Sequence, residues 1–326
     1  MSMPRRRWLA AGALFALASA ALPLQAAEYP SQPLRIIVPY PAGSTLEVVA
    51  RTAAEVYQNR LGQPAIVVNV PGGSAAIGTR QAAQAKADGY TLMLGTNQTH
   101  GANSALYPDL GYDAVKDFEP IARLGRLQHV LVVRKDLGVQ TLAQFLALAR
   151  KPGSQLNYGS SGNGSASHLI AEMFKRSAGV PMSHIPFKGA SDVAQSLMGG
   201  HIDAAFATTP SVLPLIRNGG MVALAVASPD RSAALPEVPT LSERDIRGVE
   251  ADAWTALFVP AGTPAPIVAR LVDVTVAAFS EPATREKIAA TGFIPEAMPP
   301  AEFKVFLTED MARWARTIRE AGVKID

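Results

Sequence analysis

The residues best suited to chemistry gather in one glycine- and serine-rich segment, 158–168, which reads Tyr-Gly-Ser-Ser-Gly-Asn-Gly-Ser-Ala-Ser-His. It follows a strand-like run and leads directly into a helical pattern. Hydroxyls and unpaired backbone N–H groups at a helix N-terminus attract anions, so we expect an anion site at the helix beginning near Ser165. The same composition is also typical of a flexible, capped turn, and this alternative stays open.

A second polar loop follows the first predicted strand and contains Tyr40, Gly43 and Ser44. Glycine allows the backbone to approach a ligand closely, and residues 44–47, Ser-Thr-Leu-Glu, match a capping box in which Ser44 caps the next helix. Tyr40 offers a flat ring and a hydroxyl. The loop predicts either ligand contact or a plain strand-to-helix turn with a packed tyrosine.

A third loop, 95–100, also follows a predicted strand and carries the hydrogen-bonding side chains of Thr96 and Asn97. In open parallel sheets, ligands collect beyond the carboxyl ends of strands, which is where all three loops fall. The lone His100 in this loop is more typical of a structural residue or a helix cap than of a catalytic base.

The spacing of these residues does not match known enzyme motifs. A nucleophile elbow counted from Gly159 has Asn163 where its last glycine should be. A dinucleotide fingerprint counted from Gly162 has Ser167 in place of glycine, and the Gly-Lys-Ser/Thr of a phosphate loop is absent from the sequence. The five histidines include no pair with zinc-helix spacing, the chain has no cysteine, and its acidic residues are scattered. We therefore expect no cofactor, no metal and no catalysis.

Alternating strand and helix patterns place these loops in an α/β fold. Strands at 34–39, 65–70 and 90–95 with intervening helices at 45–60 and 74–87 predict a βαβαβ unit with a parallel sheet. A second α/β series runs from 141 to 227, and a strand at 253–259 precedes three C-terminal helices expected to cover the first lobe. The apolar runs 121–133 and 253–259 are expected to cross between two lobes as a hinge.

The first 26 residues have the basic, apolar and small-residue order of a cleaved signal peptide. Arg5-Arg6-Arg7-Trp8-Leu9 fits a twin-arginine signal as well as it fits a general secretory one. The chain has 30 basic and 27 acidic residues, and removing three leader arginines leaves 27 of each. The mature protein is near neutral, which argues against nucleic-acid or anionic-membrane binding. Since no disulfide is possible, an exported chain of this length must depend on a large core.

The ordered motifs of the chain resemble those of the Bug family, the extracytoplasmic receptors of tripartite tricarboxylate transporters. The residues that carry this resemblance are Val38-Pro39-Tyr40-Pro41-Ala42-Gly43, Asn69-Val70-Pro71-Gly72-Gly73, Asp88-Gly89-Tyr90-Thr91-Leu92, Tyr158-Gly159-Ser160-Ser161-Gly162, His184-Ile185-Pro186-Phe187-Lys188-Gly189, Leu235-Pro236-Glu237-Val238-Pro239-Thr240, Ala253-Trp254 and Pro260-Ala261-Gly262-Thr263-Pro264. They extend over essentially the whole mature chain.

The resemblance implies a two-lobed periplasmic binding protein fold: two parallel-type sheets joined by hinge crossover segments. Lobe 1 would comprise 27–125 and 250–326, and lobe 2 would comprise 126–249. The implied role is a periplasmic, monomeric receptor that captures a dicarboxylate, tricarboxylate or aromatic carboxylate for a membrane permease. Carried over by motif, the ligand contacts are Tyr40, Gly43, Ser44, Thr96, Asn97, Ser160, Ser161, Gly164, Ser165, His168, Phe187, Lys188 and Thr208.

This chain departs from the family pattern at two places that bear on the ligand. Many members have a second glycine after Gly43 and an aspartate near the start of the next helix, where this chain has Ser44 and Glu47. The strand ending at Phe206 often continues into aspartate, and here Ala207 follows. An acid at these places could hold an ammonium group, so the departures favour a simple carboxylic acid over an amino acid.

Two alternatives remain at this stage. A ligand-sensing protein that signals to a membrane partner would carry the same motifs as a transport receptor. A small-ester hydrolase would use Ser160 or Ser161 as nucleophile and His168 as base, although no acid is placed to orient the histidine.

Overall fold

The computed structural model describes residues 29–323, so the expected leader at 1–26 lies outside the described part of the chain. The strands are β1 Leu34–Val38, β2 Ala65–Asn69, β3 Thr91–Thr96, β4 Phe118–Leu127, β5 His129–Arg134, β6 Asn157–Ser160, β7 Ser183–Pro186, β8 Ala204–Thr208, β9 Met221–Val226, β10 Ala253–Pro260 and β11 Ile294–Met298. The helices are α1 Thr45–Leu61, α2 Ala76–Ala83, α3 Asn103–Leu106, α4 Leu142–Ala149, α5 Ala166–Ala178, α6 Ala190–Met198, α7 Thr209–Arg217, α8 Ala265–Ser280, α9 Pro282–Ala289 and α10 Pro300–Ala321. Between residues 29 and 323, no helix has the length and apolarity needed to cross a membrane.

The strands form two sheets, which confirms the predicted two-part α/β fold. One sheet has the order β11-β4-β10-β3-β1-β2, and the other has the order β7-β6-β8-β5-β9. β1 runs parallel to β2 and β3, and β6 runs parallel to β7 and β8, as the βαβ patterns predict. Both sheets are nevertheless mixed, because β10 runs antiparallel to β3 and β4, and β5 runs antiparallel to β8 and β9. β5 and β10 are each the first strand after the chain crosses from the other sheet. Each therefore runs in the opposite direction to the strands on either side of it.

The chain crosses between the sheets at Gln128, which separates β4 from β5, and returns through residues 227–252. The apolar run 121–133 contains the first crossing, at Gln128, although most of its residues belong to β4 and β5, whereas the run 253–259 lies within β10 after the return. β5 and β10 are almost wholly buried, and a continuous apolar run is typical of a strand covered on both faces. The domain boundaries expected from the sequence stay a prediction.

Helix α2 begins two residues later than the sequence predicts because the turn before it has left-handed backbone. Ser74 and Ala75 have φ values of 52° and 69°, which non-glycine residues rarely adopt. The hydroxyl of Tyr107 donates to Ser74 Oγ at 2.6 Å, and Asn103 Nδ2 donates to the Ser74 carbonyl at 2.9 Å. These two bonds hold the unusual turn in place.

Helix α10 is anchored to the first sheet by a buried carboxylate. Asp310, which is 3% exposed, accepts hydrogen bonds from Trp254 Nε1 at 2.7 Å and from Trp314 Nε1 at 3.0 Å, and it pairs with Arg313. Since Trp254 lies on β10, this cluster fixes the helix to a central strand. The helix also contacts α5 beside the second sheet, so it covers more than the first lobe assigned to it from the sequence.

We predict that Asp310→Ala destabilises the protein by about 3 kcal/mol, because it leaves two indole N–H groups and a guanidinium without their acceptor. Urea unfolding followed by tryptophan fluorescence measures this change. The matched control is Glu309→Ala on the exposed side of the same helix, which should stay within about 0.5 kcal/mol of the parent. Equal stabilities of the two variants would contradict the anchoring role of Asp310.

Candidate functional site

A cleft between the two sheets contains two neighbouring compartments. The inner compartment has a volume of about 100 Å³ and the outer one about 550 Å³. Tyr40, Pro41, Gln98 and Ser161 line both, so the compartments adjoin. Their walls come from both sheets, because Tyr40 and Gln98 follow strands of the first sheet and Ser161 follows a strand of the second.

Four helices begin at the inner compartment. Residues at or next to their first turns line it, namely Ser44, Thr45 and Leu46 of α1, Ser165 and Ala166 of α5, Gly189 and Ala190 of α6, and Thr208 before α7. The first turn of a helix has N–H groups without intrahelical acceptors, and each helix N-terminus carries roughly half a positive elementary charge. No aspartate or glutamate is among the described residues that line either compartment. The arrangement therefore suits an anion.

The start of α1 agrees in part with the predicted capping box. Ser44 Oγ accepts from the backbone N–H of Glu47 at 3.3 Å, which confirms Ser44 as the cap. The Glu47 carboxylate instead accepts from the N–H of Gly43 at 2.6 Å, because Gly43, at a φ of +79°, brings its N–H within reach. That backbone bond, together with Arg51, holds the pKa of Glu47 below its usual value. The only acid of this turn is thus paired away from the cleft.

The serine-rich loop before α5 is fixed by its own hydrogen bonds. Ser165 Oγ caps the helix by accepting from the N–H of His168 at 3.3 Å. Ser167 Oγ accepts from the N–H of Ser161 at 3.0 Å and lies 2.9 Å from Ser165 Oγ. The loop is consequently an ordered, capped turn. It also presents Ser161 and Ser165 to the inner compartment, so it combines features of the two alternatives predicted from the sequence, a capped turn and an anion site.

Two histidines support this loop from behind. The rings of His168 and His184 stack with centroids 3.9 Å apart and planes 8° apart. Gly164 N donates to His168 Nδ1 at 3.1 Å, and Ser160 Oγ lies 2.6 Å from His184 Nε2. Burial lowers the pKa of His168, and burial together with His168 lowers the pKa of His184 to about 4. Both rings are therefore neutral near pH 7 and hold the loop through hydrogen bonds.

The same contacts bear on the hydrolase alternative. Ser160 is fully buried, bonds to His184 and not to His168, and is not among the residues that line the cleft. A nucleophile must reach the substrate, so this serine–histidine pair is placed to brace the loop and not to attack a bound ester.

Tyr40 divides the two compartments. Its hydroxyl lies 2.7 Å from Thr96 Oγ1 and donates to Gln98 Oε1 at 3.2 Å. Burial raises the pKa of Tyr40, so the hydroxyl stays protonated. With the hydroxyl engaged, the ring face is the part of Tyr40 left for a ligand.

Two buried side chains of the inner compartment have polar atoms without partners. Asn97 Nδ2 and His129 Nδ1 make no hydrogen bond within residues 29–323, although each side chain is only 2% exposed. Burial lowers the pKa of His129 to about 4, so its ring is neutral. An unsatisfied buried polar group is costly, and a bound ligand is a natural partner for both.

The cleft collects most of the residues predicted from the sequence. Tyr40, Ser44, Thr96, Asn97, Ser161, Ser165 and Thr208 line the inner compartment, while Phe187 and Lys188 line the outer one. Gly43, Ser160, Gly164 and His168 lie outside both linings and shape the loops through the bonds described above. Whether each residue contacts a ligand stays a prediction.

Three residues that line the inner compartment, Gln98, His129 and Trp254, are not among the ligand contacts predicted from the sequence. Gln98 begins a π-helical turn, Gln98–Ala102, and His129 follows the crossing point at Gln128. Gln98 lies in the predicted loop 95–100, beside Thr96 and Asn97, whereas His129 reaches the cleft through long-range strand pairing, for which no local motif exists. Trp254 was visible only as part of the family motif Ala253-Trp254.

The mouth of the cleft is bridged by hydrogen bonds between the two sides. Asn163 O, on the serine-rich loop, accepts from Ser74 Oγ at 3.3 Å and from Gln98 Nε2 at 3.4 Å. Ser74 belongs to the left-handed turn before α2, so that turn reaches across the opening.

A search of the described residues finds no group of three or more histidine, aspartate or glutamate side chains placed to hold a metal.

Comparison with known proteins agrees with this architecture. The sequence model of one protein family, described as tripartite tricarboxylate transporter family receptor, matches residues 49–323. Protein BugT of Bordetella pertussis is 34% identical over 315 residues, which cover 96% of this chain and 97% of BugT.

Solved structures give the same result. The Rhodopseudomonas palustris protein Rpa4515 with adipate is 30% identical with a TM-score of 0.88, over 91% of this chain and 99% of that one. MatC from the same organism, with bound malate, is 30% identical with a TM-score of 0.82, over 89% of this chain and 100% of that one. The chain thus belongs to the tripartite tricarboxylate transporter family of receptors, which are solute-binding proteins and not enzymes.

Proposed function

We propose that this receptor captures a small organic acid by placing its carboxylate in the inner compartment. The observation that carries the proposal is the meeting of four helix N-termini at one small chamber, whose lining by residues 29–323 includes no acidic side chain. Fixed N–H groups and hydroxyls can hold a carboxylate there without an arginine clamp. The structural relatives with adipate and malate support a carboxylate as the recognised group.

The contacts we propose for the carboxylate are the first turns of α1, α5 and α6, assisted by the side chains of Asn97 and Thr96. Asn97 Nδ2 and His129 Nδ1 would gain partners from the ligand, which offsets the cost of burying them. Phe187 and Lys188 would meet whatever part of the ligand extends into the outer compartment.

Capture would involve closure of the cleft. We propose that 27–125 with 250–326 and 126–249 act as the two lobes, with bending at Gln128 and in 227–252. In that scheme the bonds from Ser74 and Gln98 to the Asn163 carbonyl form when the lobes meet, and they slow the escape of the ligand.

The partner we propose is the membrane permease of a tripartite tricarboxylate transporter, with the receptor working as a monomer in the periplasm after cleavage of residues 1–26. A pull-down from the membrane fraction tests this choice. Recovery of a signalling protein in place of permease subunits would favour the sensing alternative.

Reversing the charge of the inner compartment tests the proposal most simply. Ala190, the first residue of α6, lines the compartment. We expect Ala190→Asp to weaken the binding of acids at least thirtyfold, since the new carboxylate competes for the same N–H groups, while an acid at a helix N-terminus does not destabilise the fold.

The matched control is Ala190→Asn, which has the same shape without the charge and should lose roughly fivefold or less. Calorimetry with hexanoate, benzoate, adipate and malate measures the affinities, and melting temperatures verify folding. Unchanged affinity in Ala190→Asp, or a parent protein that binds none of these or any other organic acid, would contradict the proposal.

The neutral state of the buried histidines predicts how binding depends on pH. Because burial lowers the pKa of His129 and of His184 to about 4, neither ring gains a proton between about pH 8 and pH 6. The affinity for a carboxylate should therefore change by less than about twofold over this range. A histidine with an ordinary pKa would become cationic as the pH falls and tighten binding, so a severalfold rise in affinity at pH 6 would contradict this assignment.

The bond across the mouth predicts a kinetic effect. We expect Ser74→Ala to raise the dissociation rate about fivefold with little change in the association rate, because the bond to Asn163 exists only in the closed cleft. Stopped-flow tryptophan fluorescence measures both rates.

Tyr107→Phe is the control for this variant, since it removes the bond to Ser74 Oγ and keeps the one from Ser74 to Asn163. If it accelerates dissociation as much as Ser74→Ala does, Ser74 acts through the shape of its turn and not through the cross-cleft bond.

A further inference from the structure

We infer that the ligand is a monocarboxylate with an elongated apolar body, aliphatic or aromatic, whose body lies in the outer compartment. This inference rests on the proposed function and makes its ligand class narrower. It follows from the sizes, the walls and the charges of the two compartments.

The sizes favour a ligand that extends beyond the inner compartment. The inner compartment has a volume of about 100 Å³, and about 550 Å³ lies next to it in the outer one. Tyr40, Pro41, Gln98 and Ser161 line both spaces, so we infer that one ligand extends through both. A molecule that fills both is elongated, with its carboxylate at the inner end.

The walls of the outer compartment are mostly apolar. Pro39, Pro41, Pro71 and Pro186 line it, and proline has no backbone N–H to offer a polar ligand group. The polar side chains in the same lining are largely engaged, because Ser74 and Gln98 donate to the Asn163 carbonyl and Ser161 Oγ lies 3.1 Å from Ser167 Oγ. Phe187 adds an aromatic surface, and its position is fixed by its backbone N–H, which donates to the Ser160 carbonyl at 2.9 Å. A Cβ added at Gly159 would lie 3.2 Å from the Phe187 ring, so the ring packs closely on that glycine. Methylene groups or an aromatic ring fit such walls better than hydroxyls or a second carboxylate.

The charges argue against a second ionised group on the ligand. Lys188 is the one charged side chain among the described residues that line the outer compartment, and it is exposed. An exposed ammonium gives little net attraction because water screens it, whereas a carboxylate placed among prolines loses hydration. The nearby donors Ser74 Oγ and Gln98 Nε2 already donate to the Asn163 carbonyl. Among residues 29–323, no aspartate or glutamate lines either compartment, which equally disfavours a ligand with an ammonium group.

Calorimetry with matched acids tests this inference on the full mature receptor. Hexanoate and adipate have the same chain length and differ by the outer carboxylate. We expect hexanoate to bind at least about tenfold more tightly than adipate and than the compact diacid malate. From butanoate to hexanoate, the affinity should rise about threefold to fourfold per methylene group.

Two variants locate the body of the ligand. Phe187→Ala should weaken hexanoate about tenfold and butanoate much less, while Phe187→Leu, which keeps an apolar wall, should restore most of the affinity and guards against a folding defect. Lys188→Ala should weaken hexanoate and adipate alike, and by far less than Phe187→Ala weakens hexanoate, because water screens the exposed ammonium. These variants separate the apolar wall from the charge at the rim.

The outcomes distinguish this inference from the proposed function. Tighter binding of adipate or malate than of hexanoate, or a loss of more than tenfold in Lys188→Ala, would overturn the apolar monocarboxylate and leave the carboxylate receptor intact. Failure of every organic acid to bind would overturn both. The inference would be supported if hexanoate binds more tightly than both butanoate and adipate. The affinity for hexanoate should then fall strongly in Phe187→Ala and only slightly in Lys188→Ala.

Discussion

The structure of the cleft depends on the N–H groups at the first turns of α1, α5 and α6, and on the N-terminus of α7, whose Thr209 N–H already donates to the Gln128 carbonyl. Each of these helices follows a strand, β1, β6, β7 or β8, and begins at the carboxyl end of that strand. Since the two sheets present these ends to each other, four partial positive charges meet at one chamber. Water or an anion must satisfy N–H groups in such a place, and residues 27–326, with 27 basic and 27 acidic side chains, bring no long-range charge to help. Recognition is consequently local and depends on how firmly the helix ends are held.

Neutral hydroxyls cap two of those helix ends, and the acid in the first turn of α1 is paired away from the chamber. Ser44 and Ser165 cap α1 and α5 with hydroxyls, and the Glu47 carboxylate is paired with Gly43 and Arg51. Behind α5, the stacked rings of His168 and His184 are uncharged at neutral pH. The inner wall is also tied to the core, because Trp254 lines the chamber and donates to the buried Asp310. Trp254 thus contributes both to the stability of the first sheet and to the shape of the inner compartment.

Local sequence signals predict the helix ends that carry caps and miss the residues that arrive by long-range pairing. Ser44 and Ser165 stand where the capping patterns place them, and the strand and helix order of the second sheet follows from periodicity. α6 and α7 begin at Gly189 and Thr208 without a side-chain capping bond, so their convergence on the chamber has no local signature. His129 reaches the cleft only because β5 pairs with β8 and β9. The sequence pattern predicts one crossing segment over 121–133. Only the polar Gln128 separates β4 from β5, and a break of one residue is too short to change the hydrophobic periodicity.

A crystal structure of the receptor with 6-bromohexanoate would show how the ligand is oriented, because the anomalous signal of bromine fixes which way the acid lies. We expect the carboxylate in the inner compartment, about 3 Å from N–H groups of the first turns of α1, α5 or α6, with the bromine among the prolines beside Phe187. A carboxylate bound at Lys188, with the alkyl chain directed into the inner compartment, would contradict this expectation.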